Sequence, residues 1–148
     1  MKKIFGWVAA SAFVVLGASQ DVFAGGWTQL PRSGLGFKTH SSPDRQWGQA
    51  RLVNNLVGLG QNWNFSHGGR HLSFGDMSRY GGGYFPPHQT HRDGRAGDFL
   101  PWGSYYNTQR FVNLMYSAGS ISFILYNGGQ RGVRWAYGHG DHLHMAIY

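Results

Sequence analysis

The hydrophobic pattern changes period several times along the chain, and each change marks an element. Residues 25–39 are glycine-rich without a helical period, which predicts an irregular or strand-like lead-in. Ser42-Pro43-Asp44 carries a helix-start signature: Ser as cap, Pro at the first helical position, an acid in the first turn. Trp47, Ala50, Val53 and Val57, with Leu56 beside them, recur at helical spacing. Gly58 and Gly60 are expected to end that core-facing helix. His71-Leu72-Ser73-Phe74 alternates as a strand does, and the run from Gly81 to Pro87 is a loop that delivers the chain into His88. A second helix is predicted over residues 108–117, with Phe111, Leu114 and Met115 on one side and Gly119 as its stop. Residues 121–126 read as a buried strand closed by Asn127-Gly128-Gly129. The last predicted strand covers residues 142–148, where Leu143, Met145 and Ile147 alternate with His142, His144, Ala146 and Tyr148. No repeat or low-complexity tract interrupts this order. The expectation is one α+β domain over residues 25–148.

Ahead of these elements, Lys2 and Lys3 precede an apolar run from Ile4 to Ala18, and Val22-Phe23-Ala24 offers a small residue for cleavage. This is the layout of an export signal over residues 1–24, with a retained N-terminal anchor as the alternative. The run is shorter than the roughly 20 residues a spanning helix needs, and no later stretch is long and apolar enough. A periplasmic or secreted protein, without stable membrane insertion after signal removal, is the expected outcome.

Composition then narrows the chemistry. The chain carries 13 Lys and Arg against six acids, a net charge of +7. Such a surface is drawn to anionic polymers, and export argues against nucleic acid among them. Cysteine is absent, which removes disulfides and thiol chemistry. All six acids are aspartates, so the H-E-x-x-H zinc-protease motif has no glutamate to supply its base. A glycosidase acid, commonly Glu, is missing for the same reason. No G-x-S-x-G elbow is present either. Any general base on the protein is therefore His or Asp.

Five of the eight histidines fall in two short stretches, His88 to Asp98 and His139 to Tyr148. Imidazole and carboxylate suit borderline metals such as zinc. In a strand, His142 and His144 project from one face about 6.6 Å apart, a spacing that suits a metal ligand beside a general base. Gly94 and Gly97 allow the first stretch to bend a carboxylate and an imidazole toward one ion. The plainer readings are two solvated histidines on a polar strand face and a surface hydrogen-bonded pair for His91 and Asp98. His67 and His71 are four apart, but Gly68-Gly69 between them argues against a shared helix.

Gly75-Asp76-Met77-Ser78, the Gly81-Gly82-Gly83 loop, Phe85-Pro86-Pro87-His88, the His91-to-Asp98 spacing and His139-x-x-His142-x-His144 together resemble the penicillin-insensitive murein endopeptidases. These belong to the wider group of zinc peptidases that includes lysostaphin, D-alanyl-D-alanine carboxypeptidases and the hedgehog signalling domain. The resemblance implies a small central antiparallel sheet flanked by helices, with a zinc cleft on the sheet. It implies one zinc per chain on His91, Asp98 and His144, with His142 as the catalytic histidine. His88 and His139 would support the cleft or face substrate, and Asp141 and Arg92 are grouped with them. The implied reaction is hydrolysis of peptide cross-links between peptidoglycan stem peptides, of the D-alanyl-meso-diaminopimelate type. Arg92 and Ala96 stand where that family usually has Gln and Asp. A D,D- or L,D-carboxypeptidase, an exported wall-degrading toxin and a non-catalytic zinc-containing wall-binding module are the related alternatives. Arg92 and Arg95 are candidates to meet stem-peptide carboxylates.

Overall fold

The computed structural model describes residues 26–86, 89–101 and 103–148. The export signal expected over residues 1–24 and the supporting role expected of His88 lie outside the described residues. In chain order the strands are β1 (Trp27–Gln29), β2 (Ser33–Gly34), β3 (Phe37–Thr39), β4 (Trp47–Gln49), β5 (Leu72–Phe74), β6 (Ala96–Phe99), β7 (Ile121–Leu125) and β8 (Leu143–Ile147). The helices are α1 (Ala50–Ser66) and α2 (Tyr105–Ser117), with 3-10 turns at Pro43–Arg45 and Gln89–Asp93.

A six-stranded sheet runs in the order β2-β3-β5-β6-β8-β7, and β1 pairs with β4 beside it. The fold class is α+β as expected, but the sheet is mixed rather than wholly antiparallel, because β3 and β5 run parallel. Parallel neighbours need a crossover, and α1, lying between those two strands in sequence, supplies it. From β5 through β6 and β8 to β7 every pairing is antiparallel.

The first helix departs from its expected limits at both ends. The Ser-Pro-Asp signature starts only the 3-10 turn Pro43–Arg45, with no side-chain cap. Trp47 then enters β4 instead of a helical stripe, and its backbone exchanges hydrogen bonds with Ser78 at 3.1 and 2.9 Å. Pairing with β1 outweighs the local start signal. At the other end, α1 passes through Gly58 and Gly60. Gly60 is a packing glycine: a Cβ there would stand 2.7 Å from Phe37 Cδ1. The helix reaches Ser66, and Gly68 and Gly69, both at positive φ, turn the chain instead. Helix α2 begins one turn earlier than its apolar pattern suggests, because Ser104 caps it by accepting from Asn107 N at 3.2 Å.

Both helices bury against the same face of the sheet. Leu52, Val53, Leu56, Leu59 and Trp63 from α1 join Phe111, Val112 and Met115 from α2 in one apolar cluster. Phe37, Phe74 and Phe99 of the sheet continue it as a chain of ring contacts that reaches Phe111 and Trp63. Leu143, Met145 and Ile147 point into this cluster. Each fully buried side chain of this size contributes on the order of 1.5–3 kcal/mol. Because side chains alternate along a strand, the same packing turns His144 to the opposite face.

Candidate metal centre

Asp98 of β6 and His144 of β8 are directly opposite in the strand register. Their neighbours Phe99 and Leu143 face the core, which fixes both functional side chains on the other face. His91 arrives from the 3-10 turn Gln89–Asp93, just before β6. Gly94 makes that delivery possible: it turns the chain at φ +70°, where a Cβ would collide with the Trp27 ring. Its carbonyl accepts from Gln49 N at 2.8 Å, and the Gln49 side chain donates to the Asp93 carbonyl at 2.9 Å. Gly97, in contrast, lies within β6.

The three side chains converge. His91 Nε2 is 3.3 Å from Asp98 Oδ1, and His144 Nδ1 is 2.8 Å from the same oxygen. One ligand atom from each residue lies within 4.8 Å of the others. Donors about 2.0–2.1 Å from a tetrahedral ion stand about 3.3 Å apart, a spacing close to the two distances to Asp98. Exposures of 0%, 7% and 2% for His91, Asp98 and His144 exclude a surface hydrogen-bonded pair and a solvated strand face. A buried His-Asp-His group with the capacity to bind a metal ion is present.

Its electrostatics favour a cation. Burial pushes the Asp98 carboxyl up, but hydrogen bonds from His144 and His91 and their charge interactions outweigh it and hold the group far below the ordinary range. Burial pushes His144 down, and Asp98 only partly opposes that. An anionic carboxylate and a neutral imidazole therefore coexist at neutral pH, the protonation states that metal binding requires.

The ligand rings belong to a larger group. The His91 and His144 centroids are 4.9 Å apart, His139 lies 5.6 Å from His144, and His142 lies 4.9 Å from His139. His142 precedes the strand rather than opening it, and its Nδ1 is 2.7 Å from Asp141 Oδ1. That hydrogen bond lowers the exposed Asp141 carboxyl. The structure thus brings His139, His142 and Asp141 to the group. Arg92 is instead exposed, its guanidinium over the Tyr84 ring at 5.7 Å. Arg95 is paired with Asp93.

Four further residues shape the site without having stood out in the sequence as part of it. Thr90 Oγ1 lies 2.6 Å from His144 Nε2, Phe85 stacks on His91 at 5.5 Å, and Phe123 stacks beside His144 at 6.1 Å. Asp76 accepts Asp98 N through its carbonyl at 2.8 Å, while its carboxylate takes Arg45 at 2.9 Å and Ser41 at 2.5 Å. Arg45 also covers the Phe85 ring at 5.2 Å. Asp76 and Phe85 had a visible signal, as members of the Gly75-Asp76-Met77-Ser78 and Phe85-Pro86-Pro87-His88 motifs, though neither had been given a role.

Among the described residues no helix is long and apolar enough to cross a membrane. No model of a known protein family matches the chain, and no curated protein matches it.

Proposed function

We propose that this chain is an exported zinc-dependent peptidoglycan hydrolase that cleaves peptide cross-links between stem peptides. The buried His91-Asp98-His144 group, open toward two further histidines, is the observation that carries the reading. Two imidazoles and one carboxylate suit zinc with a fourth position free, where a bound ion brings water toward neutral pKa and polarises a scissile carbonyl. His142 is the proton-transfer group. Its Nδ1 is engaged by Asp141, which orients the ring for proton transfer. His139 fills the space between His142 and His144 and holds the two rings in relation. The basic surface, the export-like first residues and the motif resemblance direct the choice of substrate toward wall peptides.

The test is metal content and product analysis on the purified protein after signal removal. About one zinc per chain, conversion of cross-linked dimers to monomers with intact glycan strands, and loss of activity to chelators are expected. New reducing sugar ends with cross-links untouched would overturn the peptidase reading. Release of D-alanine alone would replace endopeptidase by carboxypeptidase.

A further inference from the structure

The face of the sheet that carries the His-Asp-His group continues past His144 onto β7. Phe123 stacks beside His144 at 6.1 Å, and a hollow of about 140 Å³ opens against the same ring, walled by Thr90, Ser122 and Ala146 and by the ion-paired Asp93 and Arg95. The Arg134 guanidinium lies 5.9 Å from the Phe123 centroid. Arg134 is not a loosely held loop residue. Its N–H donates to the Ile124 carbonyl at 2.8 Å and its carbonyl accepts from Tyr126 N at 3.0 Å, so its backbone extends β7 by a parallel bridge. The segment beyond it is pinned by Asn127, whose side chain accepts from Ala136 N and whose N–H donates to the His139 carbonyl.

Two other arginines near the group are closed on carboxylates, Arg95 on Asp93 and Arg45 on Asp76, while Arg92 lies over Tyr84 and not over the Phe123 ring that meets His144. Arg134 has no ion pair among the described residues. Its guanidinium is within roughly 12 Å of the His144 ring, a span an extended peptide crosses in three or four residues at about 3.3 Å each.

We infer that Arg134, with the Phe123 ring as floor, is a specificity-determining subsite for a free carboxylate on the peptide held at the His-Asp-His group. Arg134 is exposed, its backbone is anchored to β7, and its guanidinium lies over an aromatic face; its donors form a planar fork, the geometry that recognises a carboxylate rather than an amide. The inference rests on the proposed peptidase reading and deepens it: the site selects cross-linked stem peptides by their carboxylates, through Arg134 instead of Arg92 or Arg95.

The experiment uses the zinc-loaded protein after signal removal and two cross-linked muropeptide dimers, one with free α-carboxylates and one with them amidated. Cleavage and calorimetric binding are both measured. The wild type should favour the free acid about tenfold. Arg134→Gln should erase that preference through KM, with little change in kcat or zinc content, and Arg134→Lys should restore part of it. Arg131→Gln, which removes one charge from the same loop, should keep the preference. A preference that survives Arg134→Gln, or that Arg131→Gln removes equally, overturns the subsite. If neither dimer is cleaved, the peptidase reading fails. Calorimetry then still decides the subsite: an Arg134-dependent preference for the free acid supports it, and equal binding of acid and amide overturns it.

Discussion

Thr90 Oγ1 lies 2.6 Å from His144 Nε2, on the far side of the ring from the nitrogen that meets Asp98. In the metal-free protein the neutral ring donates from Nδ1 to Asp98 and accepts at Nε2. To coordinate through Nδ1 it must carry its proton on Nε2. A hydroxyl both donates and accepts, so Thr90 serves either tautomer. Thr90→Val should therefore weaken zinc binding by about 10–100-fold, the usual effect of losing a histidine's outer partner, whereas Thr90→Ser should retain it. Competition against a chelator of known affinity decides. Equal binding by Thr90→Val and wild type would remove Thr90 from the site.

His144 and His142 should separate metal from rate. His144→Ala should lose zinc and activity together, since two ligands hold the ion poorly. His142→Ala should keep zinc, with Leu143, Met145 and Ile147 still anchoring β8, while cleavage falls by roughly 10²–10⁴-fold. Zinc content and cross-link cleavage on both variants check this. A His142→Ala protein with full activity sinks the proton-transfer assignment.

Acid should destabilise the metal-free protein in two stages. Both Asp98 and His144 titrate lower folded than unfolded, so the unfolded chain binds more protons across each interval and stability rises with pH there. The His144 contribution is complete above its unfolded value of 6.5 and is lost as pH falls through the folded value. That of Asp98 is complete above 3.8 and lost in stronger acid. Melting temperature should decline below about pH 6.5 and again below about pH 4. A curve that stays level across both ranges would contradict the buried pairing.

Two glycines two residues apart in α1, on opposite sides of the helix, should respond to alanine with opposite signs. At Gly58 nothing lies within 4 Å of an added Cβ, so Gly58→Ala should stabilise by about 0.5–1 kcal/mol through helix propensity. At Gly60 the Cβ would press on Phe37 at 2.7 Å and the Leu35 carbonyl at 3.1 Å. Gly60→Ala should destabilise by about 1–3 kcal/mol despite the same propensity gain. Thermal or urea melts of the two variants compare them directly, and matching shifts would refute the packing role of Gly60.

How far the sequence could be read depended on whether local pattern or tertiary pairing decided an element. Alternation of Leu143, Met145 and Ile147 was enough to orient His144, because a strand's period is fixed by its backbone. His91 and Asp98 were visible as metal-capable types at short spacing, and the turn at Gly94 brings them together as the glycine suggested. The start of α1 was not legible, since Ser42-Pro43-Asp44 is a valid local signal that pairing of β4 with β1 overrides. Gly60 was misread as a stop because a packing glycine and a breaking glycine look alike in one dimension. Thr90 and Phe123 gave no signal as site residues, and Phe85 stood only in a motif without a role, because such roles come from positions far apart in sequence.

The strand that carries His144 is threaded between β6 and β7, both of which precede it in the chain. Asp98 and His144 are 46 positions apart, and Thr90 and His144 are 54 apart. The two halves of the cation pocket meet only when that central gap in the sheet is filled, a long-range event that folding chains reach slowly. Until then the aspartate and its two histidines are strangers. An ion cannot template the early stages of folding through this triad. Any cation bound there would be a late guest, admitted once the architecture that welcomes it already stands.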